Sequence, residues 1–300
     1  MPSTLYNAEA FAEYTVKEAE ELEKLQASML RQLLEVPMSS PNNGILMETG
    51  WPTVEAQLDY RKLMLYHNIL WSDEKRTIKK ILEVQKEENR RGTWHYSICR
   101  IIEKYEITLQ PEQTLKSTWK HEVKEVIRDE TERKIREKSK EQTKTRTVRN
   151  GEYQLKDYLE AMPLKISKEI LRYRLHMVKI PMNYKNIWKQ MTCPLCSEEE
   201  GTTEHYFTCK EVEAVRKVWE VSNLDEEDPK KMENIARFFQ DVQTMIEPKW
   251  EMQRKSTTGR HHQEDVKPSM ISGPPTPEEP VQEETIDEDS GHPNRRNLKE

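Results

Sequence analysis

The sequence predicts an all-α protein: an irregular helical bundle carrying one small loop module built on cysteine and histidine, followed by a disordered carboxy-terminal tail. Three observations carry that expectation. Only 34% of the 300 residues are hydrophobic and another 34% are charged, so long solvated faces are required. Glycine (8) and phenylalanine (4) are scarce, which leaves little material for strands and tight turns. Apolar residues recur at steps of three and four through most of the chain, the period of a helix with one buried face.

From Ala8 to Val36, Leu22, Leu25, Met29 and Leu33 follow helical steps, and Leu30 and Leu34 widen the stripe. This is a long amphipathic helix packed on its neighbours rather than a coiled coil, since the pattern is not a strict heptad. Val36-Pro37 and the run Ser39-Ser40-Pro41-Asn42-Asn43-Gly44 read as breakers. Thr53 is an N-cap for a second helix through Leu58, Leu63 and Tyr66 to Leu70. Ser72-Asp73 opens a third with Ile78, Ile81 and Leu82, and a fourth holds Trp94, Ile98, Ile101 and Tyr105 before Pro111. Residues 1–110 thus read as one helical bundle.

Leu115, Trp119, Val123, Val126 and Ile127 continue the spacing, but beyond Arg128 acids and bases alternate as far as Lys144. Residues 111–150 therefore read as a solvated helical connector held by i,i+4 ion pairs. In 151–222 a helix over Tyr153–Leu159 closes before Pro163, and Ser167 caps another containing Ile170, Leu171, Leu175 and Met177. Lys168, Arg172, Arg174, Lys179, Lys185 and Lys189 make this stretch basic, with Tyr173, Tyr184 and Trp188 interleaved. Bases mixed with aromatics suit a surface that tracks phosphates and stacks nucleobases, and the same rings equally suit a core. Residues 223–249 hold the last amphipathic helix, on Ile235, Phe238, Phe239, Val242 and Ile246, complete by Pro248. From 250 to 300 the apolar surface is too sparse to offset the entropy of ordering the chain, so this Pro-rich acidic tail is expected to be disordered.

The most specific pattern lies before that last helix. Two residues separate Cys193 from Cys196, eight separate Cys196 from His205, and three separate His205 from Cys209. Three thiolates and an imidazole at this CCHC spacing form a soft donor set that closes a tetrahedral shell around one structural zinc ion, with no open position for a catalytic water. Cys193, Cys196, His205 and Cys209 are the expected metal ligands. Pro194-Leu195 makes the first turn, Gly201-Thr202-Thr203 the return loop, and a helix from Glu204 to Lys210 puts His205 and Cys209 on one face.

The net charge of -6 averages a basic middle, Thr131 to Lys189, with an acidic end, Glu278 to Asp289, that offers a contact for a protein partner. One cysteine, Cys99, is left over from the metal set, which fits a reducing intracellular compartment, nucleus or cytoplasm. No apolar run approaches the ~20 residues of a membrane span, so no membrane partner is expected. His67, His95, His121 and His176 lie in different helices without a local serine or cysteine nucleophile, so no catalytic residue is assigned and no enzymatic activity is expected.

Several short runs also resemble a known family. Leu5-Tyr6-Asn7-Ala8-Glu9-Ala10-Phe11, then Arg31-Gln32-Leu33-Leu34 before Pro37 and Pro41, then Glu48-Thr49-Gly50-Trp51-Pro52, resemble the region after the catalytic domain in reverse transcriptases of non-LTR (LINE-type) retrotransposons. Leu171-Arg172-Tyr173-Arg174-Leu175, Cys193-Pro194-Leu195-Cys196, Thr203-Glu204-His205 and Cys209 follow in the order of that family's carboxy-terminal zinc-binding segment. The resemblance spans Leu5 to Trp219. It implies a thumb-like bundle in 1–110 and a carboxy-terminal piece that holds template RNA or target DNA during target-primed reverse transcription. The chain departs from the family in having Asn7 and Phe11 where Gly and Trp stand. It carries no Tyr-x-Asp-Asp motif, hence no paired aspartates for two magnesium ions, and no Pro-Asp…Asp/Glu-x-Lys nuclease core after Cys209. The expectation is a retroelement-derived, zinc-stabilised nucleic-acid-binding protein binding RNA, DNA or both. The alternatives are a helical protein-interaction scaffold and a transposon remnant without function.

Overall fold

The computed structural model describes residues 7–11, 15–88, 90–224 and 226–264, apart from the side chains of Val16 and of residues 256–264. The helices are α1 (Val16–Leu33), α2 (Asn42–Thr49), α3 (Val54–Leu70), α4 (Thr77–Glu88) and α5 (Trp94–Lys104), then α6 (Lys116–Lys140), α7 (Asp157–Ala161), α8 (Leu164–Arg174), α9 (Glu213–Trp219) and α10 (Pro229–Glu264). Among the described residues β structure is limited to two isolated antiparallel bridges, so the chain is all-α. No described helix is long and apolar enough to cross a membrane. Met1–Thr258 form one compact unit and Gly259–Glu300 a second, of which only the end of α10 is described. The expected disorder of the tail falls, from residue 265 on, outside the described residues.

Two apolar cores meet along α6. The first gathers Leu63, Tyr66 and Ile69 of α3, Leu82 of α4, Ile98 and Ile101 of α5, and Trp119, Val123 and Ile127 of α6. The second holds α2, α8 and α10 together with the cysteine loop, and Ile135 of α6 belongs to it. Residues 119, 123, 127, 131, 135 and 139 are all buried at strict steps of four. The expected solvated connector is therefore corrected: α6 is charged on its outer faces and buried along one. Of its two polar members, Thr131 fits because it donates to the Ile127 carbonyl at 2.6 Å, which satisfies the hydroxyl inside the helix itself, whereas the buried Ser139 hydroxyl finds no partner among the described residues.

Several other boundaries differ from the sequence expectation: α4 opens at Thr77 rather than at Ser72-Asp73, α7 covers Asp157–Ala161 rather than Tyr153–Leu159, and α8 opens at Leu164 behind Pro163, with Ser167 inside it rather than at its cap. The first long helix begins at Val16, where Thr15 and Glu18 form a reciprocal capping box, and among the described residues only a 3-10 turn, Ala8–Ala10, precedes it. The end of the stretch read as breakers, Asn42-Asn43-Gly44, is the first turn of α2, which buries Ile45, Leu46, Met47 and Glu48 and ends on Gly50 at a φ of 60°. That left-handed conformation is the usual helix C-terminal stop, and a side chain there would also strike the Gln154 backbone 2.7 Å away. Finally, α10 does not stop at Pro248 but continues to Glu264. Proline removes one backbone donor at a cost of about 3 kcal/mol. Packing beyond it offsets that cost, since Trp250 is buried, edge-on to Tyr184 at 5.1 Å and close to Trp188 at 6.0 Å.

Candidate metal centre and basic surface

The first two cysteines sit on a tight knuckle. The Ser197 amide donates to the Cys193 carbonyl at 2.9 Å, and Ser197 takes a φ of 61° to close the turn. The strand-like legs are then tied by Cys193 N–H to Glu199 at 2.7 Å and Gly201 N–H to Met191 at 2.8 Å. Gly201 is required at this return, because a Cβ would lie 2.8 Å from the ring of Pro181. Glu204 to Lys210 forms two 3-10 turns, His205–Phe207 and Lys210–Val212, in place of the expected continuous helix. The Cys209 amide still donates to the His205 carbonyl at 2.8 Å, and this single i,i+4 bond brings the two ligands to the same side.

The ligand atoms of Cys193, Cys196, His205 and Cys209 all lie within 4.8 Å of one another, close enough to bind one metal ion. Cys193 and Cys209 are buried and His205 is 7% exposed, while Cys196 lies nearer the surface. His205 turns Nε2 toward Cys196 Sγ at 3.4 Å, and Nδ1 meets the Glu199 carboxylate at 2.8 Å. A carboxylate on the outer nitrogen fixes ring orientation and leaves Nε2 free as a ligand. Burial pushes the Cys196 thiol up, but the Glu198 and Glu199 amides, Cys193 and His205 outweigh it and hold the pKa at about 7. Cys209 is pushed up to about 12, first by burial and then by the neighbouring cysteine sulfurs. Cys209, buried beside two other cysteine sulfurs, resists ionising, and a bound cation would remove that resistance.

The centre is rooted in the second core. Phe207 packs against Phe238 and Phe239 of α10 at 5.4 and 5.6 Å, and Lys249 donates to the Pro194 carbonyl. α9 buries none of its residues fully and Val218 is 70% exposed, but its Val215 and Trp219 pack partly buried against the second core, and Val212 just before it is a member of that core.

The six residues assigned to nucleic acid are dispersed by the fold. Arg174 is 4% exposed, and its guanidinium makes a two-pronged pair with Glu48 at 2.7 and 3.0 Å. Its assignment as a phosphate contact is corrected, because a buried cation already held by a carboxylate has no face for a ligand. Lys168 pairs with Glu35, Arg172 with Glu169 and Lys179 with Glu247. Lys185 and Lys189 are exposed and have no ion-pair partner among the described residues. Of the interleaved rings, Tyr173 and Trp188 are buried and Tyr184 packs on the second core, so these aromatics serve the interior.

No family model, curated protein or solved structure matches the chain. The geometry must therefore carry the functional reading. It adds Glu199, which sequence spacing did not single out, although the run Glu198-Glu199-Glu200 beside a ligand histidine is where an orienting carboxylate would be sought. It also adds Lys116, Lys120 and Lys124, exposed on successive turns of α6 and without ion-pair partners among the described residues.

Proposed function

We propose that this chain is a non-enzymatic, zinc-stabilised nucleic-acid-binding protein, derived from the post-catalytic region of a LINE-type reverse transcriptase and working in a reducing intracellular compartment. The observation that carries the reading is the completeness of the Cys193, Cys196, His205 and Cys209 set, four donors gathered within 4.8 Å. Zinc fits it: bond lengths of about 2.3 Å to sulfur and about 2.0 Å to nitrogen put tetrahedral ligands ~3.5–3.8 Å apart. The observed Nε2 to Sγ separation of 3.4 Å lies close to that edge. Such a site leaves no coordination position for substrate, so its work is to order the loop. The remaining thiol supports the non-enzymatic reading, since Cys99 lies 3.6 Å from His95 but burial raises its pKa and lowers that of His95. That is the reverse of an activated thiolate and imidazolium pair. Support for nucleic acid comes from the exposed lysines of α6, which have no ion-pair partner among the described residues.

The test is zinc content and binding to labelled single-stranded RNA and duplex DNA on one purified sample, across a salt series. One zinc per chain with salt-weakened binding, lost on chelation, supports the proposal. Stoichiometric zinc with no binding to either nucleic acid sinks the binding half and retains the metal half. One observation favours a protein-interaction scaffold instead: Leu25, Met29 and Leu33 form an exposed apolar row on α1 at 43%, 40% and 72%. Association with cellular protein that survives nuclease treatment supports that second reading.

A further inference from the structure

The α6 lysines lie along a groove. Lys120, Lys124 and Arg128, on three successive turns, border a cleft of about 330 Å3 between α6, the start of α3 and the Gly50–Pro52 turn. Its floor is apolar and aromatic, from Pro52, Ala56, Tyr60 and Ile127. None of the residues lining it is a carboxylate. Lys120 and Lys124 are exposed, and Arg128 spends one nitrogen on the Tyr153 carbonyl at 3.3 Å, which fixes its guanidinium at the rim. Beside the groove Trp51 is 42% exposed, with its carbonyl held by the Tyr153 hydroxyl at 2.7 Å.

We propose that this α3/α6 groove, and not the basic stretch 168–189, holds a single strand of nucleic acid. The inference rests on the nucleic-acid reading above and names its site. Four residues of helix rise about 6 Å, so the three cations form a regular row that meets successive phosphates of an extended strand. Bases turned inward reach Tyr60 and Trp51, whose faces stack on any base without sequence preference. An acidic peptide also satisfies the cations, but aromatic faces beside them favour bases. The wider cavity of about 770 Å3 between α1, α3 and α6 is no rival, because Glu23, Glu55 and Asp59 line it with its lysines and repel a polyanion.

The experiment measures anisotropy of a labelled oligouridylate with the full chain, the K120A/K124A variant and the K185A/K189A variant, each checked for wild-type melting. Three phosphate contacts give a salt slope of about -2.1, so wild-type affinity falls about 18-fold between 50 and 200 mM salt. With one contact left, K120A/K124A loses only about 2.6-fold over the same range and binds more weakly at low salt. K185A/K189A should match the wild type, and Y60A should weaken binding at every salt while keeping the wild-type slope. Should K185A/K189A alone flatten the slope, the groove is overturned while nucleic-acid binding stands. Absence of wild-type binding to the oligouridylate and to duplex DNA overturns both. Binding of an oligoglutamate peptide in place of the oligouridylate, at the same lysines, overturns the occupant.

Discussion

Arg174 shows how far a residue's role depends on what the fold sets beside it. In the sequence it is one base among six; in the structure it neutralises Glu48, whose carboxylate also accepts from the Tyr158 hydroxyl at 2.7 Å. Both partners are buried, so removing one strands a charge in the interior, at a cost of about 3–5 kcal/mol, whereas replacing both with apolar residues of similar volume is near neutral. R174M alone should lower urea stability by that amount, and E48L/R174M should recover most of it. Equal losses in the two variants would show that packing, not charge, is what the pair supplies. His176 makes a second residue-scale prediction. Burial first, then the Arg146 and Lys144 charges against the opposing pull of Glu204, lowers its pKa from 6.5 to about 4. The neutral ring accepts from Arg146 at Nδ1 (3.2 Å) and meets Thr147 at Nε2 (3.0 Å). The unfolded chain binds the proton more tightly, so this stabilisation is complete above pH 6.5 and is lost as pH falls toward 4, amounting to about 3 kcal/mol. Stability of the wild type should fall more steeply than that of H176Q between those limits, and parallel pH profiles would exclude His176 as the source. Of the candidate site, the four residues gathered within 4.8 Å of one another were legible because a shared metal ion would fix their spacing in the chain. Arg174, Glu199 and the α6 row were not, since their meaning comes from partners distant in sequence.

Helices with one apolar face are announced by period, and α3 and α5 lie where Thr53 and the Trp94 run predicted them. α2 is hidden for the opposite reason. Buried on several sides, Ile45-Leu46-Met47-Glu48 shows no polar face to set a period, and Pro41 and Gly50 look like breakers when they are its two ends. α6 is hidden differently, because beyond Ile127 its buried stripe is Thr131, Ile135 and Ser139, with one large apolar residue among neighbours that are mostly charged. The capping box at Thr15 was present in the sequence as Thr-x-x-Glu and would have placed the start of α1. α10 yields the prediction at this scale. Pro248 interrupts the hydrogen bonding of a run of good helix formers, so residues beyond it lean on tertiary contacts, chiefly Trp250 against Tyr184 and Trp188. W250A should cost about 3–5 kcal/mol. Amide exchange should rise from Lys249 onward while Ile235–Val242 stays protected; unchanged protection after Pro248 would mean that the helix there is held by something other than this contact.

At the scale of the whole molecule the metal centre lies in the second core, while the proposed groove is floored mainly by the first and touches the second through Tyr153. Cys193 and Cys209 are members of the second, Tyr60 and Ile127 belong to the first, and α6 runs through both. A structural zinc site supplies roughly 10–16 kcal/mol, as much as the entire stability of an ordinary domain, which is roughly 5–15 kcal/mol. A chain that relies on it cannot keep the second core ordered after the metal is removed. The first core contains no residue of the cysteine loop, and its Trp119, fully buried with Nε1 donating to the Leu63 carbonyl at 3.2 Å, needs nothing from it. Chelation should therefore raise amide exchange through 191–212, α8 and α10, while α3, α5 and the first half of α6 keep most of their protection. Oligonucleotide binding by the groove should weaken less than those exchange rates suggest. If α3 and α5 open together with the cysteine loop, the two cores form one cooperative unit with α6 as the coupling rod, and metal loss would then abolish binding outright. If no segment responds, the four ligands are not what orders this half of the chain.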